Sequence, residues 1–158
     1  MGGPYIPTTR NADGDVVVDE STAGSHRRSL YLQQRRTQVL GMLESFDSPS
    51  MVVNCSQRPS TTIPQQSLSL MNSQFVRLRS EAFARRLEQE AGNDSTERIR
   101  HAYQLAFSRL PTDEELTMAR NFLSEQTTAY GERDDLNKVV WADFCQAILS
   151  TNEFLYVR

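Results

Sequence analysis

The sequence is short of several residue types, and each shortage excludes something. Two cysteines, Cys55 and Cys145, stand in 158 residues. Neither belongs to a Cys-x-x-Cys pair, and neither precedes the histidine of a haem-attachment motif. A disulfide between them would need an oxidising compartment. His26 and His101, the two histidines, are too few and too far apart for a recognisable metal cluster. No apolar run approaches the roughly 20 residues of a membrane-spanning helix. Charge of one sign is not in strong excess: 17 Lys and Arg stand against 20 Asp and Glu. That balance gives no electrostatic reason to expect nucleic acid or an anionic membrane as partner. There is no Gly-rich phosphate loop and no serine nucleophile elbow. The opening residues lack the basic head and apolar middle of a signal peptide. Ile6 also stands where a myristoylation motif needs Ser or Thr. The expectation is a cytosolic chain, or a piece of a protein whose export signal lies elsewhere.

What is present is helix-forming pattern. The length suits one domain, and 38% hydrophobic residues suit a modest core. A mean hydropathy of -0.54 suggests polar segments around it. The longest consistent pattern runs from Arg58 to Leu87. Pro64 is placed to begin a helix, where the missing N–H costs nothing. Leu68, Met71, Phe75, Leu78 and Ala82 follow at steps of three and four and predict a buried stripe. Asn72-Ser73 interrupts it as a kink or a fresh N-cap. Gly92 closes this element, and Asp94 or Ser95 caps the next. There Ile99, Ala102, Tyr103, Ala106, Phe107 and Leu110 share one face, and Pro111 ends the run.

Thr112 and Glu115 have the spacing of a capping box. Leu116, Ala119, Leu123 and Phe122 supply that helix's stripe. After Gly131 a last helix carries Val140, Trp141, Phe144, Cys145, Ile148 and Leu149 on one side, which makes Cys145 a small core residue. Asn152 is expected to stop this helix, leaving an apolar tail from Glu153 to Arg158 that must find a groove.

Residues 1–63 read differently. Gly, Pro, Asn, Asp, Ser and Thr dominate the first 26 positions. Val16-Val17-Val18 is a short strand candidate, either one arm of a hairpin or extended chain. Arg27 to Arg36 holds four arginines around Leu30 and Leu32. It reads as a solvated basic face beside two buried residues in strand-like alternation, with an anion patch or a helix as the other readings. Met51-Val52-Val53 is a further extended candidate. The predicted fold is therefore mainly α, with four to five packed helices over residues 64–158. A loop-rich segment, residues 1–63, precedes them with one or two short strands and packs on the core.

Joint order is more specific than any of these signals alone. Gly2-Gly3-Pro4 is followed by Arg27-Arg28-Ser29-Leu30-Tyr31, Phe46-Asp47-Ser48-Pro49 and Cys55-x-x-Arg58. Thr61-x-x-Pro64-Gln65-Gln66-Ser67-Leu68 and Met71-Asn72-Ser73 come next. Ala102-Tyr103, Arg109-x-Pro111-Thr112-x-x-Glu115-Leu116 and Trp141-x-Asp143-x-Cys145-Gln146-Ala147-Ile148-Leu149 lead to Asn152-Glu153-Phe154-Leu155-Tyr156-Val157. This series resembles the C-terminal half of the second domain of unknown function in large planctomycete proteins that also carry a planctomycete-type cytochrome c domain. The resemblance implies that the chain is a fragment of such a protein, or a truncated product. It implies a parent in the periplasm or cell envelope, with haem c held in a separate N-terminal domain absent here. The partner it implies is the remainder of that polypeptide or a sister haem-containing chain. The chain itself holds no cofactor or metal on this reading.

Arg28, Asp47, Cys55, Arg58 and Asn72 form the candidate polar surface. A buried arginine needs a carboxylate or carbonyls around it, and Arg28 or Arg58 paired with Asp47 would meet that need. The ion pair would pin the N-terminal loops to the helices. In the alternative, the same residues contribute to a substrate site, with carbohydrate among the candidates, because an arginine fork suits carboxylates and phosphates. Cys55 as a nucleophile would need His101 as base, yet His101 sits on a regular helix. Glu114-Glu115 and Asp134-Asp135 are explained as helix first-turn acids. The expected role is a non-catalytic helical supporting or docking domain.

Overall fold

The computed structural model describes residues 4–12, 14, 16–19, 22, 24–25, 27–35, 40–46 and 64–156. The chain separates into two compact units, Met1–Gln66 and Ser67–Arg158.

In the first unit, β1 (Thr8–Arg10) pairs antiparallel with β2 (Val16–Val18), with Thr8 opposite Val18 and Arg10 opposite Val16. The valine run is thus one arm of a hairpin. Ile6 lies just before β1 and is almost completely buried. Its N–H donates to Tyr31 O at 2.7 Å, and its carbonyl accepts from Gln33 N–H at 2.8 Å. Ser29–Tyr31 forms a single 3₁₀ turn rather than the alternating strand expected there, and Leu30 is exposed instead of buried. Arg27 fixes the turn from the side: its guanidinium lies 3.6 Å from the Tyr31 ring centroid and donates to Pro4 O at 3.0 Å. A short helix, α1 (Gly41–Ser45), also belongs to this unit. Its Ser45 carbonyl accepts from the buried Gln66 amide at 2.9 Å.

From Pro64 the described chain is mainly helical: α2 (Pro64–Asn72), α3 (Gln74–Ala91), α4 (Ser95–Phe107), α5 (Asp113–Tyr130), α6 (Leu136–Leu149) and α7 (Asn152–Leu155). The mainly α fold with a small N-terminal hairpin is the predicted class. Helix α6 is central, touching α3, α4, α5 and α7. It buries Val140, Trp141, Ala142, Phe144, Cys145 and Ile148. Trp141 meets Phe144 edge to face at 5.6 Å, an arrangement favoured by the ring quadrupoles.

The caps follow the sequence closely. Ser73 caps α3 with its side chain, so α2 and α3 are separate helices. Asp94 caps α4, accepting from the N–H groups of Thr96 and Glu97 at 2.7 and 3.3 Å. Thr112 and Glu115 form the full capping box on α5. Gly92 and Gly131 end α3 and α5 at φ of +69° and +63°, a region open to glycine without a Cβ clash.

The buried face of α3 departs from the expected stripe. Leu68, Met71 and Phe75 are exposed by 59, 64 and 41%. The residues turned inward are Leu70 on α2 and Val76, Ser80, Ala84 and Leu87 on α3. The break at Ser73 restarts the helical phase, so a stripe drawn straight across it is wrong. Small Ser80 and Ala84 on this face suit a close approach of α3 to α6. Leu110 is also exposed, because α4 ends earlier, at Phe107. Ser108 adopts the left-handed conformation there and ends the helix before Pro111. Asn152 starts a helix rather than stopping one: Thr151 caps α7 through Phe154 N–H at 3.3 Å. Phe154 and Tyr156 remain more than a third exposed, so these two residues of the tail are not sunk in a groove.

Candidate functional site

Polar side chains of the helical unit gather at three places. The first is the corner between α3 and α4. Arg98, one turn into α4, is almost fully buried. Its Nε donates to the Gly92 carbonyl, and Nη2 reaches Asn93 Oδ1 at 3.1 Å and Glu88 Oε1 at 3.5 Å. The guanidinium also sits 5.2 Å from the Trp141 ring centroid. A buried arginine thus exists, but it is Arg98, and carbonyl, amide, carboxylate and ring share its charge. Sequence reasoning had looked for it in the N-terminal loops. The available signal was an arginine at i−1 to Ile99, inside the apolar face of α4.

The second gathering joins three elements. Arg109 forks onto both oxygens of Glu115, at 2.8 and 2.7 Å, and onto both of Glu153, at 2.7 and 2.8 Å. It thereby ties the end of α4 to the starts of α5 and α7. Hydrogen bonding from Arg109 holds the Glu115 carboxyl down at about 2, and the bonds from Glu115 and Glu153 hold the guanidinium charge above its usual range.

At the third, Asp143 on α6 accepts from Arg77 on α3 and from the Tyr130 hydroxyl, the latter at 2.6 Å. Arg77 also reaches Glu81 at 3.2 Å. Beside this cluster α3 and α6 leave a cleft of about 270 Å³, bordered by Arg77, Arg85, Arg98, Lys138 and Trp141.

Of the five residues proposed from the sequence, Arg28 and Asn72 are among the described residues. Arg28 is exposed, next to the 3₁₀ turn of the first unit, rather than buried. It stands at the N-cap of that turn without a capping side-chain bond, while the neighbouring Arg27 makes the contacts to Pro4 and Tyr31. Asn72 is exposed at the last position of α2. Asp47, Cys55 and Arg58, and with them the ion pair and the Met51–Val53 strand, lie outside the described residues. His101 is engaged elsewhere, its Nε2 2.6 Å from Glu90 Oε2 on α3. Cys145 is a free, buried thiol, pushed up to about 12 by burial. Among the described residues no group of three or more His, Cys, Asp or Glu is placed to hold a metal. No described helix is long and apolar enough to cross a membrane.

Fold and polar clusters together define a small helical domain whose charged groups clamp helix ends. Residues 1–123 match the family described as PSD1, protein of unknown function (DUF1553), and the chain belongs to that family. No curated protein and no solved structure matches it.

Proposed function

We propose that this chain is a non-catalytic supporting or docking domain of a larger, exported, haem-containing protein of planctomycete type. The haem c is carried outside the chain, on the remainder of the parent polypeptide or on a sister subunit. The observation behind this reading is the exposure of three large apolar side chains, Leu68 and Met71 on α2 and Phe75 at the start of α3. Three large exposed apolar side chains within eight residues favour a partner surface. The engaged polar clusters fit the same reading. Arg109, Arg98 and the Arg77–Asp143 pair each join helix to helix.

The test begins with the reading frame upstream of Met1. If it runs into a Cys-x-x-Cys-His coding region, that region is coexpressed with residues 1–158 on a separate tagged chain. Haem absorbance in the eluate is the expected result, and Leu68→Glu with Met71→Glu should abolish it. Turnover of a polysaccharide or other candidate substrate by residues 1–158 alone would remove the proposal. A second reading makes Arg28, Asp47, Arg58 and Asn72 part of the parent's substrate site. The exposure of Arg28 and Asn72 favours it. Arg58→Ala in the parent should then reduce activity at unchanged stability.

A further inference from the structure

The geometry points to a carboxylate-binding site at the end of α4 that the chain's own Glu153 occupies and that an acidic segment of a partner protein can take over. The site uses none of Leu68, Met71 and Phe75, so it stands or falls apart from the docking reading.

The receptor is built without α7. Arg109 lies 5.5 and 5.6 Å from the ring centroids of Tyr103 and Phe107, which meet edge to face at 5.2 Å. Glu115 holds the Nη1–Nη2 side of the guanidinium, and the Leu110 carbonyl accepts from Nη1 at 3.1 Å. Rings and first fork fix the side chain and leave its Nε–Nη2 side as a second fork. Such a fork matches a carboxylate, and holding it in place beforehand lowers the cost of binding one.

The occupant is lightly held. Glu153 fills the second fork at 2.7 and 2.8 Å, with a side chain 48% exposed. It sits on α7, four residues long with none buried. So short a helix has almost no stability of its own. Ser150 is still helical, at φ −95° and ψ 0°, so the extended residue Thr151, at φ −74° and ψ 150°, sets the direction of α7. Rotation at one such residue swings the segment off α4.

Charge names the ligand. One guanidinium faces two carboxylates here. When Glu153 leaves, Glu115 still neutralises Arg109, so release strands no buried charge. Exchange of one partly solvated carboxylate for another is close to neutral, and neighbouring apolar contacts decide it. Leu110, next in the chain, is 62% exposed and offers such a contact. The fitting partner is a peptide segment with a glutamate beside an aromatic, as in Glu153-Phe154. A phosphate dianion is disfavoured by the fixed charge of Glu115.

The experiment uses the ¹⁵N-labelled full chain, wild type and Glu153→Gln. The probe is the end-blocked peptide Thr-Asn-Glu-Phe-Leu-Tyr. Its glutamine counterpart, inorganic phosphate and sodium chloride at matched ionic strength serve as comparisons. The readout is the Arg109 Nε–H signal, identified by its absence in Arg109→Lys. Glu153→Gln should melt within about 4 °C of wild type. It should bind the acidic peptide saturably, with Kd of about 1 mM. Wild type should bind it ~10-fold more weakly, since its own carboxylate competes at high effective concentration. The inference is overturned by a larger fall in melting point, by no binding to Glu153→Gln, by equal binding to both chains, or by equal binding of the glutamine peptide or phosphate. Dimers of wild type at these concentrations would assign the site to a second copy and overturn it too.

Discussion

Arg109 and Glu115 face each other fork to fork, with Nη1 2.8 Å from Oε2 and Nη2 2.7 Å from Oε1. The same carboxylate accepts the Thr112 N–H at 2.8 Å, so one group serves both the helix cap and the ion pair. This couples the start of α5 to the end of α4 more firmly than a simple surface pair would.

Acid should weaken that coupling in a defined window. The Glu115 carboxyl is lowered from 4.5 to about 2 in the folded chain. The unfolded chain therefore takes up the proton first, and the contribution is full above about pH 4.5 and lost as pH falls towards 2. Because Arg109 is partly solvated, the contribution is about 1 kcal/mol. Urea titrations of Arg109→Ala should show less stability than wild type at pH 7, with the difference shrinking by pH 2.5. A constant difference would contradict the assignment.

Arg98→Ala removes the guanidinium that holds the Gly92 carbonyl and packs on Trp141, and should cost about 2–4 kcal/mol. Arg98→Lys should recover little, since an ammonium neither forks nor stacks. Trp141 is the only tryptophan. Its fluorescence in urea reads both variants, and full recovery by lysine would contradict the role given to the fork.

Ser80 is completely buried on α3, and its Oγ donates back to Val76 O at 2.8 Å. Ser80→Leu must force α3 away from its packed neighbours, at about 1–3 kcal/mol or more. Ser80→Ala keeps the approach and removes a bond internal to the helix, so its effect should stay within about 1 kcal/mol. Equal destabilisation of both variants in calorimetry would show that the hydroxyl, not the size, matters.

Cys145 is fully buried and its thiol is held up near 12 from a usual 9. In a Cys55→Ser background, a thiol reagent at pH 8 should label Cys145 only as fast as the chain opens. Rapid labelling of the folded chain would contradict the burial. Above about pH 9 the unfolded chain releases this proton first, so stability should fall as pH rises towards 12.

Local signals were legible where a short stretch carries its whole cause. Thr112 and Glu115 are three apart, Asp94 precedes its own acceptor-hungry amides, and Gly92 and Gly131 tolerate a positive φ. Val140 to Ile148 is apolar enough that its inner face was plain. The stripe of α3 was not legible, because its inward residues include Ser80 and Ala84, which carry little hydropathy. Of the proposed surface of Arg28, Asp47, Cys55, Arg58 and Asn72, the described residues Arg28 and Asn72 are each exposed on their own element.

The sequence by itself determined the helices, their caps and the short hairpin, because those depend on residues within a few positions of one another. Only the tertiary structure decided which arginine is buried, which face of α3 meets α6, and which charged side chains border the cleft between them. Those outcomes depend on how helices distant in sequence approach, and close approach is set by small side chains and paired charges that hydrophobic periodicity does not record.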